Sequence, residues 1–388
     1  MRETDRRRLR RARMAALGLT PPLGTTSPGV PVSALEVARE LGALQAQDYA
    51  SGAWSLGVRS GLTLQQVEQA VVDRQVVRTW PMRGTIHWVP AQDARWMCEL
   101  LAAPRSTSLA TRFAQLGITQ ADVERSGAVF EEHLGEPMSR PDVAALLVEH
   151  GIDPSDQRNY HLIGYHCMTG LICQGPLIGK QPSFVLIDAW VPLSRKPSRE
   201  EALATMAERY VRGHGPVTEK DLAGWFLKPL SFTREALALV EDRLVREELD
   251  GHVWLTHVDA RPVPEEPGGV HLLPQWDEFL LGYKSRDVTL PSEHFAKVVP
   301  GRNMVFKPTL VVDGEVAGTW RREQRRDHVR VEVQPFTELC ARRWREVDRA
   351  AAAYGVFLGT EAEVVRVGPG LPALAPVSSG AAARTGSD

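Results

Sequence analysis

The chain has 388 residues, 43% of them apolar, and a formal net charge of −2. That length allows two to four domains with sizeable cores, and the near-neutral balance excludes a globally basic field while leaving room for local basic stripes. No 18-residue apolar run or apolar signal core occurs, and Cys98, Cys167, Cys173 and Cys340 lack zinc-type spacing, which points to reduced, mostly buried thiols in a cytoplasmic protein.

In chain order, Arg6–Leu17 reads as a helix, Ser33–Leu44 as a second and Leu62–Asp73 as a third. The β-branched and aromatic segment Val76–Val89, broken by Pro81 and Gly84, reads as a strand hairpin. A second pass follows: helices at Gln120–Leu134, at Ser139–His150 with Ser139 as N-cap, and at Gln157–Thr169, then a hairpin from Leu171–Cys173 and Phe184–Ile187. The third pass has a helix at Arg199–Arg212, Thr218 capping Glu219–Phe226, and Thr233 capping Arg234–Glu241. Its hairpin joins Leu244–Leu249 to His252–Thr256 through Asp250-Gly251, a strong hairpin turn. Three helices and a two-stranded wing form the winged-helix plan. The expected fold is therefore mainly α with a small β content: tandem winged helices over 1–115, 116–192 and 193–260. Asp259–Gly269 reads as a linker. Beyond it, residues 261–367 form a β region, with strands at Met304–Pro308, Leu310–Val312, Glu315–Trp320 and His328–Val333 and a closing helix at Glu338–Ala353. The Gly/Pro/Ala/Ser-rich stretch 368–388 reads as a disordered tail.

The stretch Leu44-Gln45-Ala46-Gln47-Asp48 ends the second expected helix. In an extended segment, residues two apart point the same way. If Gly42 releases the helix, Gln45 and Gln47 aim two neutral amides at one spot, fit to hold a water; otherwise they are two solvated glutamines at a helix end. On the first wing, alternation places Arg83, Thr85 and His87 on one face, with Arg78 nearby, a set suited to phosphate contacts. In Trp276–Arg286, Asp277 and Arg286 are expected to pair, within a groove or between domains. Arginines cluster at Arg2, Arg6–Arg8, Arg10, Arg11 and Arg13. They cluster again at Arg321, Arg322, Arg325, Arg326 and Arg330, and at Arg342, Arg343, Arg345 and Arg349. Such clusters suit a polyanion on one face or are ordinary solvated helix faces. Phosphate-loop, HExxH and GxSxG signatures are missing, and His161 and His166, five apart on one helix, diverge too far for a shared metal.

Four segments occur together in this order: Leu44–Gln47, Arg78–His87, Trp276–Arg286 and Val312–Trp320. Over roughly Arg6 to Val367 the chain resembles the winged-helix DNA glycosylases typified by AlkZ, the azinomycin-resistance enzyme, and its relative YcaQ. The resemblance implies three winged helices in a curved arrangement with a small β region. It also implies a hairpin, placed within Val311–Val333, that approaches the minor groove. The AlkZ branch carries a Gln–aliphatic–Gln catalytic motif where the YcaQ branch ends in Asp, so the resemblance assigns catalysis to Gln45 and Gln47; Asp48, next in the chain, ranks behind them as a base for the water if the backbone rotates. The implied activity is excision of N7-alkylated purines, with interstrand crosslinks or bulky genotoxin adducts as further substrates in repair or self-resistance. The expected enzyme is a cytoplasmic monomer on duplex DNA, away from membranes, with no cofactor or metal. Arg78, Arg83, Thr85, His87, Arg286, Arg321 and Arg322 are its expected DNA contacts. The alternatives are a non-catalytic winged-helix regulator, in which the glutamine pair would be idle, and a scaffold with inert wings.

Overall fold

Local chemistry starts most of the helices. Ser33 accepts from the Glu36 N–H at 3.2 Å while the Glu36 carboxylate accepts from the Ser33 N–H at 2.9 Å, and this reciprocal cap opens a helix at Ala34. Thr63, Thr119, Ser198 and Thr218 repeat the device. The computed structural model describes residues 1–20, 32–102, 106–191, 193–265, 268–301 and 305–369. Nearly all of the expected tail, together with Met304, lies outside these residues.

The first stretch comprises α1 (Glu3–Ala16), α2 (Ala34–Leu41), β1 (Leu44–Gln45), α3 (Tyr49–Ser60), α4 (Leu64–Val72), β2 (Val76–Met82) and β3 (Thr85–Pro90). Next come α5 (Ala94–Leu101), α6 (Thr107–Gln115), α7 (Gln120–His133), β4 (Met138–Ser139), α8 (Arg140–Glu149), α9 (Arg158–Met168), β5 (Ile172–Gln174), β6 (Ser183–Leu186) and α10 (Ile187–Trp190). The third pass is α11 (Arg199–His214), α12 (Glu219–Phe226), α13 (Leu230–Ala238), β7 (Leu244–Leu249) and β8 (His252–His257). The last part holds β9 (Val270–Leu273), α14 (Glu278–Leu281), α15 (Phe295–Val298), β10 (Thr309–Val312), β11 (Glu315–Gln324), β12 (His328–Pro335), α16 (Ala341–Leu358) and β13 (Glu361–Arg366).

The hairpins of the first two passes are not separate. They join in one six-stranded sheet of order β1-β3-β2-β5-β6-β4, through Arg78 on β2 opposite Gln174 on β5. The third hairpin stands alone as β7-β8. Its turn, Asp250-Gly251, has positive φ at both residues, as do Arg83-Gly84 between β2 and β3 and Asp313-Gly314 between β10 and β11. Such turns match the right-handed twist of the strands.

Several expectations fail for identifiable reasons. The second helix ends at Leu41 rather than Leu44 because Gly42 takes φ +78°, and the chain then enters β1. Helix α3 is invisible to propensity: Tyr-Ala-Ser-Gly-Ala-Trp-Ser-Leu-Gly-Val-Arg-Ser is poor in helix formers. Burial overrides propensity there, since a Cβ on Gly57 would stand 2.5 Å from the Phe357 ring of α16. Thr233 does not cap a helix; it lies buried inside α13, which begins after Pro229. Residues 305–308 are not a strand; instead β9 and β13 flank β10–β12 in a five-stranded sheet of order β13-β12-β11-β10-β9. The indoles of Trp54 and Trp320 fix β9 by donating to Leu272 O and Leu273 O at 2.7 and 2.8 Å.

The N-terminal arginines do not form an open stripe. Arg13 is buried, donating to Pro216 O and lying 3.7 Å over the Tyr283 ring. Arg10, also buried, pairs with Glu315, and Arg8 pairs with Glu247 of β7. Among the described residues, no helix is long and apolar enough to cross a membrane. Cys98, Cys167 and Cys173 are free and buried, and Cys340 is free and exposed.

Candidate active site

With the helix stopped at Gly42, the chain runs extended along β3. Leu44 pairs with Trp88 and Gln45 with His87, and Ala46 N–H donates to Ile86 O at 2.8 Å. This register fixes the glutamines. The Gln47 carbonyl oxygen accepts from the Ile86 N–H at 3.1 Å, and that of Gln45 accepts from the Gln47 N–H at 3.4 Å. Because backbone N–H groups face the oxygens, the amide orientations are determined. Each oxygen keeps a second lone pair, and neither carboxamide nitrogen has a partner among the described residues. Gln45 is nearly buried while Gln47 is half-exposed. Arg78 donates to Ala46 O at 2.8 Å from behind. Asp48 begins α3 by accepting from Ser51 N–H at 2.8 Å, and its same oxygen lies 3.6 Å from Arg322.

A buried charged layer supports this loop. His87 is fully buried; its Nε2 accepts from Arg83 at 2.9 Å, so its Nδ1–H donates to Thr85 O at 2.8 Å. Burial, then the Arg83 charge, push its pKa down to about 3, which keeps the ring neutral. Arg83 continues to Glu278 at 3.3 Å, and Glu278 accepts from the Trp225 indole at 2.8 Å beside His214. Burial raises the Glu278 pKa, but Arg83 and His214 outweigh it and bring it to about 2. One residue earlier, Asp277 takes the Arg59 guanidinium at 2.7 and 2.8 Å, with both groups almost wholly enclosed.

The structure thus gathers the motif, the first hairpin and the 276–286 segment into one body, but several side chains do not lie as expected. Asp277 pairs with Arg59 and not Arg286; the Arg286 side chain donates to Leu280 O and covers the Phe306 ring. His87 and Arg78 are buried rather than turned to a surface, because they face the motif and its supports. Arg83 is only partly exposed, and Thr85 stays half-exposed. Arg321 is engaged with Glu332 at 2.6 Å on the neighbouring strand; Arg322 is engaged with Tyr354 at 3.0 Å and with Asp48. His161 contacts Arg112 and His166 contacts Ser126, in separate surroundings. Arg59, Glu278, His214 and Trp225 escaped the sequence reading. For Glu278 the only signal was a second acid beside Asp277.

Residues 38–357 match the family described as DNA glycosylase AlkZ-like. The chain belongs to the AlkZ-like DNA glycosylases. This glycosylase is 24% identical over 306 residues to the interstrand DNA cross-link repair glycosylase of Streptomyces sahachiroi, which spans 74% of the chain and 82% of the relative. The solved structure of Streptomyces sahachiroi DNA glycosylase AlkZ matches its fold with a TM-score of 0.73 at 23% identity, over 92% of this chain and 99% of that one. As an AlkZ-like glycosylase, the protein is an enzyme of the N-glycosidic bond with DNA as substrate, and the regulator reading is not favoured.

Proposed function

We propose that this glycosylase excises N7-alkylated, cationic purines from duplex DNA, with Gln45 and Gln47 as the catalytic residues. The observation that carries the reading is the locked orientation of the two amides on the edge of β3. Alkylation at N7 leaves the base cationic, so it departs without a strong acid. What remains is to place a water and to stabilise the oxocarbenium-like sugar. Fixed neutral dipoles supply both, because they need no reorganisation as charge develops. Asp48, already capping α3 and facing Arg322, ranks behind the glutamines as the base for that water. The relative's name, an interstrand DNA cross-link repair glycosylase, supports crosslinks as further substrates. The three helical passes act as winged helices on the duplex in a cytoplasmic monomer, with Thr85, Arg286, Arg321 and Arg322 toward DNA, Arg83 and His87 holding the motif from within, and Arg78 bracing Ala46 O.

The test is release of 7-methylguanine from a defined duplex, read as free base and abasic site. Gln47→Ala is expected to lower the rate roughly a hundredfold, corresponding to about 3 kcal/mol for one fixed dipole, with duplex binding nearly intact. Gln47→Glu is expected to retain activity or shift its preference, since a carboxylate also stabilises the cationic sugar. Wild-type rates in the alanine variant would make the glutamine pair structural and move the search to Asp48.

A further inference from the structure

Behind Ala46 the two halves of the six-stranded sheet meet. Residues opposed across neighbouring strands share a face. One such row runs Leu44, Trp88, Arg78, Gln174, Phe184 from β1 through β3, β2 and β5 to β6. Arg140, the first residue of α8, reaches over the same region, its guanidinium 5.7 Å from the Phe184 ring centre and 5.8 Å from that of Tyr160. Arg78 lies 4.8 Å over Tyr49 and 5.6 Å over Trp88.

Two properties separate this junction from the other arginine sites. First, neither Arg78 nor Arg140 forms an ion pair among the described residues, and the positive charge of Arg140 disfavours that of Arg78. Asp48, whose charge reaches Arg78, is taken up by the Ser51 N–H and Arg322. Second, the Nε atoms of both arginines and both carboxamide atoms of Gln174 are buried without a hydrogen-bond partner. Gln174 is 2% exposed and Arg78 is 7% exposed, whereas Arg140 is partly exposed and makes no hydrogen bond through its guanidinium among the described residues. Two uncompensated guanidiniums beside an idle amide form an unfilled demand for an anion rich in acceptors.

We propose that this junction is a phosphodiester site: it takes one backbone phosphate of the lesion-bearing strand, with Arg140 at the rim, Arg78 inside and the Gln174 amide as a neutral donor behind them. The proposal rests on DNA as the substrate. An extruded N7-alkylated purine is the wrong occupant, since its positive charge meets two more. The site also reaches the catalytic motif, because the Arg78 guanidinium that faces the phosphate holds Ala46 O. Arg78 is then a positioning residue that ties strand seating to the placement of Gln45 and Gln47.

The experiment uses the full chain and duplexes carrying one 7-methylguanine, with single neutral methylphosphonates placed in turn at each flanking position. For wild type, one position is expected to weaken binding about tenfold, the size of one charge-assisted contact. Arg140→Ala is expected to bind the ordinary duplex about tenfold more weakly, with its salt slope reduced by about 1, and to lose nothing further at that position. Arg140→Lys is expected to restore most of the binding, which separates charge from folding, and Arg78→Lys to lower kcat more than it raises KM. Losses that simply add at every position, or an Arg140→Ala variant that binds like wild type, overturn the site. If wild type releases no 7-methylguanine, the excision reading fails on its own, and the binding measurements still decide the phosphate site.

Discussion

Gly52 sits directly under Ala46: a Cβ there would stand 2.7 Å from the Ala46 Cβ, 2.8 Å from its Cα and 3.0 Å from the Trp88 indole nitrogen. The small centre of the glutamine motif is therefore matched by a glycine in α3, and the contact presses the motif onto β3. Gly52→Ala is expected to cost about 1–3 kcal/mol, the usual penalty of overpacking, because the nearest atoms include backbone that cannot swing aside. The same variant is expected to slow 7-methylguanine release while leaving the salt dependence of DNA binding unchanged. Urea unfolding and single-turnover excision read the two effects. A variant with wild-type stability would show that the loop is free to move.

Helix α3 and the segment leading into α14 are joined by the Arg59–Asp277 pair, which also receives the Ser55 hydroxyl at 2.7 Å. A buried pair need not stabilise a fold relative to apolar residues, but removing one partner strands the other charge. Asp277→Ala is expected to cost about 3–5 kcal/mol, measured by denaturant unfolding, and Arg59→Met combined with Asp277→Leu to recover most of it. Additive losses in the double variant would mean that each residue acts through other contacts, such as the Phe279 N–H cap made by Asp277. The pairing also shows what a linear reading misses at this scale. The 276–286 segment was legible as one that holds charges together, and its acids do so, but their partners lie on α3 and at the turn of the first hairpin. Nothing within the segment distinguishes those partners from Arg286.

Across the whole molecule, buried ionisable groups set the response to acid. His87 and His166 have pKa values brought down to about 3 and about 4, in both cases first by burial. As pH falls below about 6.5, the unfolded chain binds protons that these folded histidines refuse, so stability drops by up to about 1.4 kcal/mol per pH unit for each group. Glu278, held at about 2, adds stability above its ordinary value near 4.5 and loses it as pH falls from there toward 2. Thermal midpoints are expected to decline from pH 6.5 to 4.5, with a shallower decline in His166→Asn; an equal slope in that variant counts against the histidine's role. Binding to duplex DNA is expected to weaken linearly in log–log form with salt. Because many arginines are engaged internally, the exposed ones carry that slope. Arg326, exposed at the β11–β12 turn and free of an ion pair among the described residues, is the clearest case. Arg326→Ala is expected to reduce the slope by about 1 and to weaken binding equally across sequences. An unchanged slope would place that hairpin away from DNA.

The sequence alone determined what is local in this protein. The caps at Thr218 and Ser139, the primed turn at Asp250-Gly251 and the three helical passes depend on neighbours within a few residues, so their signals survive in the linear chain. It also placed Gln45 and Gln47 side by side, provided that Gly42 ended the helix. Only the tertiary structure decided that these amides lie along β3, that two hairpins share one sheet, that α3 forms despite its composition, and which arginines remain open to a polyanion. These outcomes turn on contacts between residues tens to hundreds of positions apart. Charge and hydrogen-bond partners are chosen there by proximity in space, and residue type constrains that proximity only weakly.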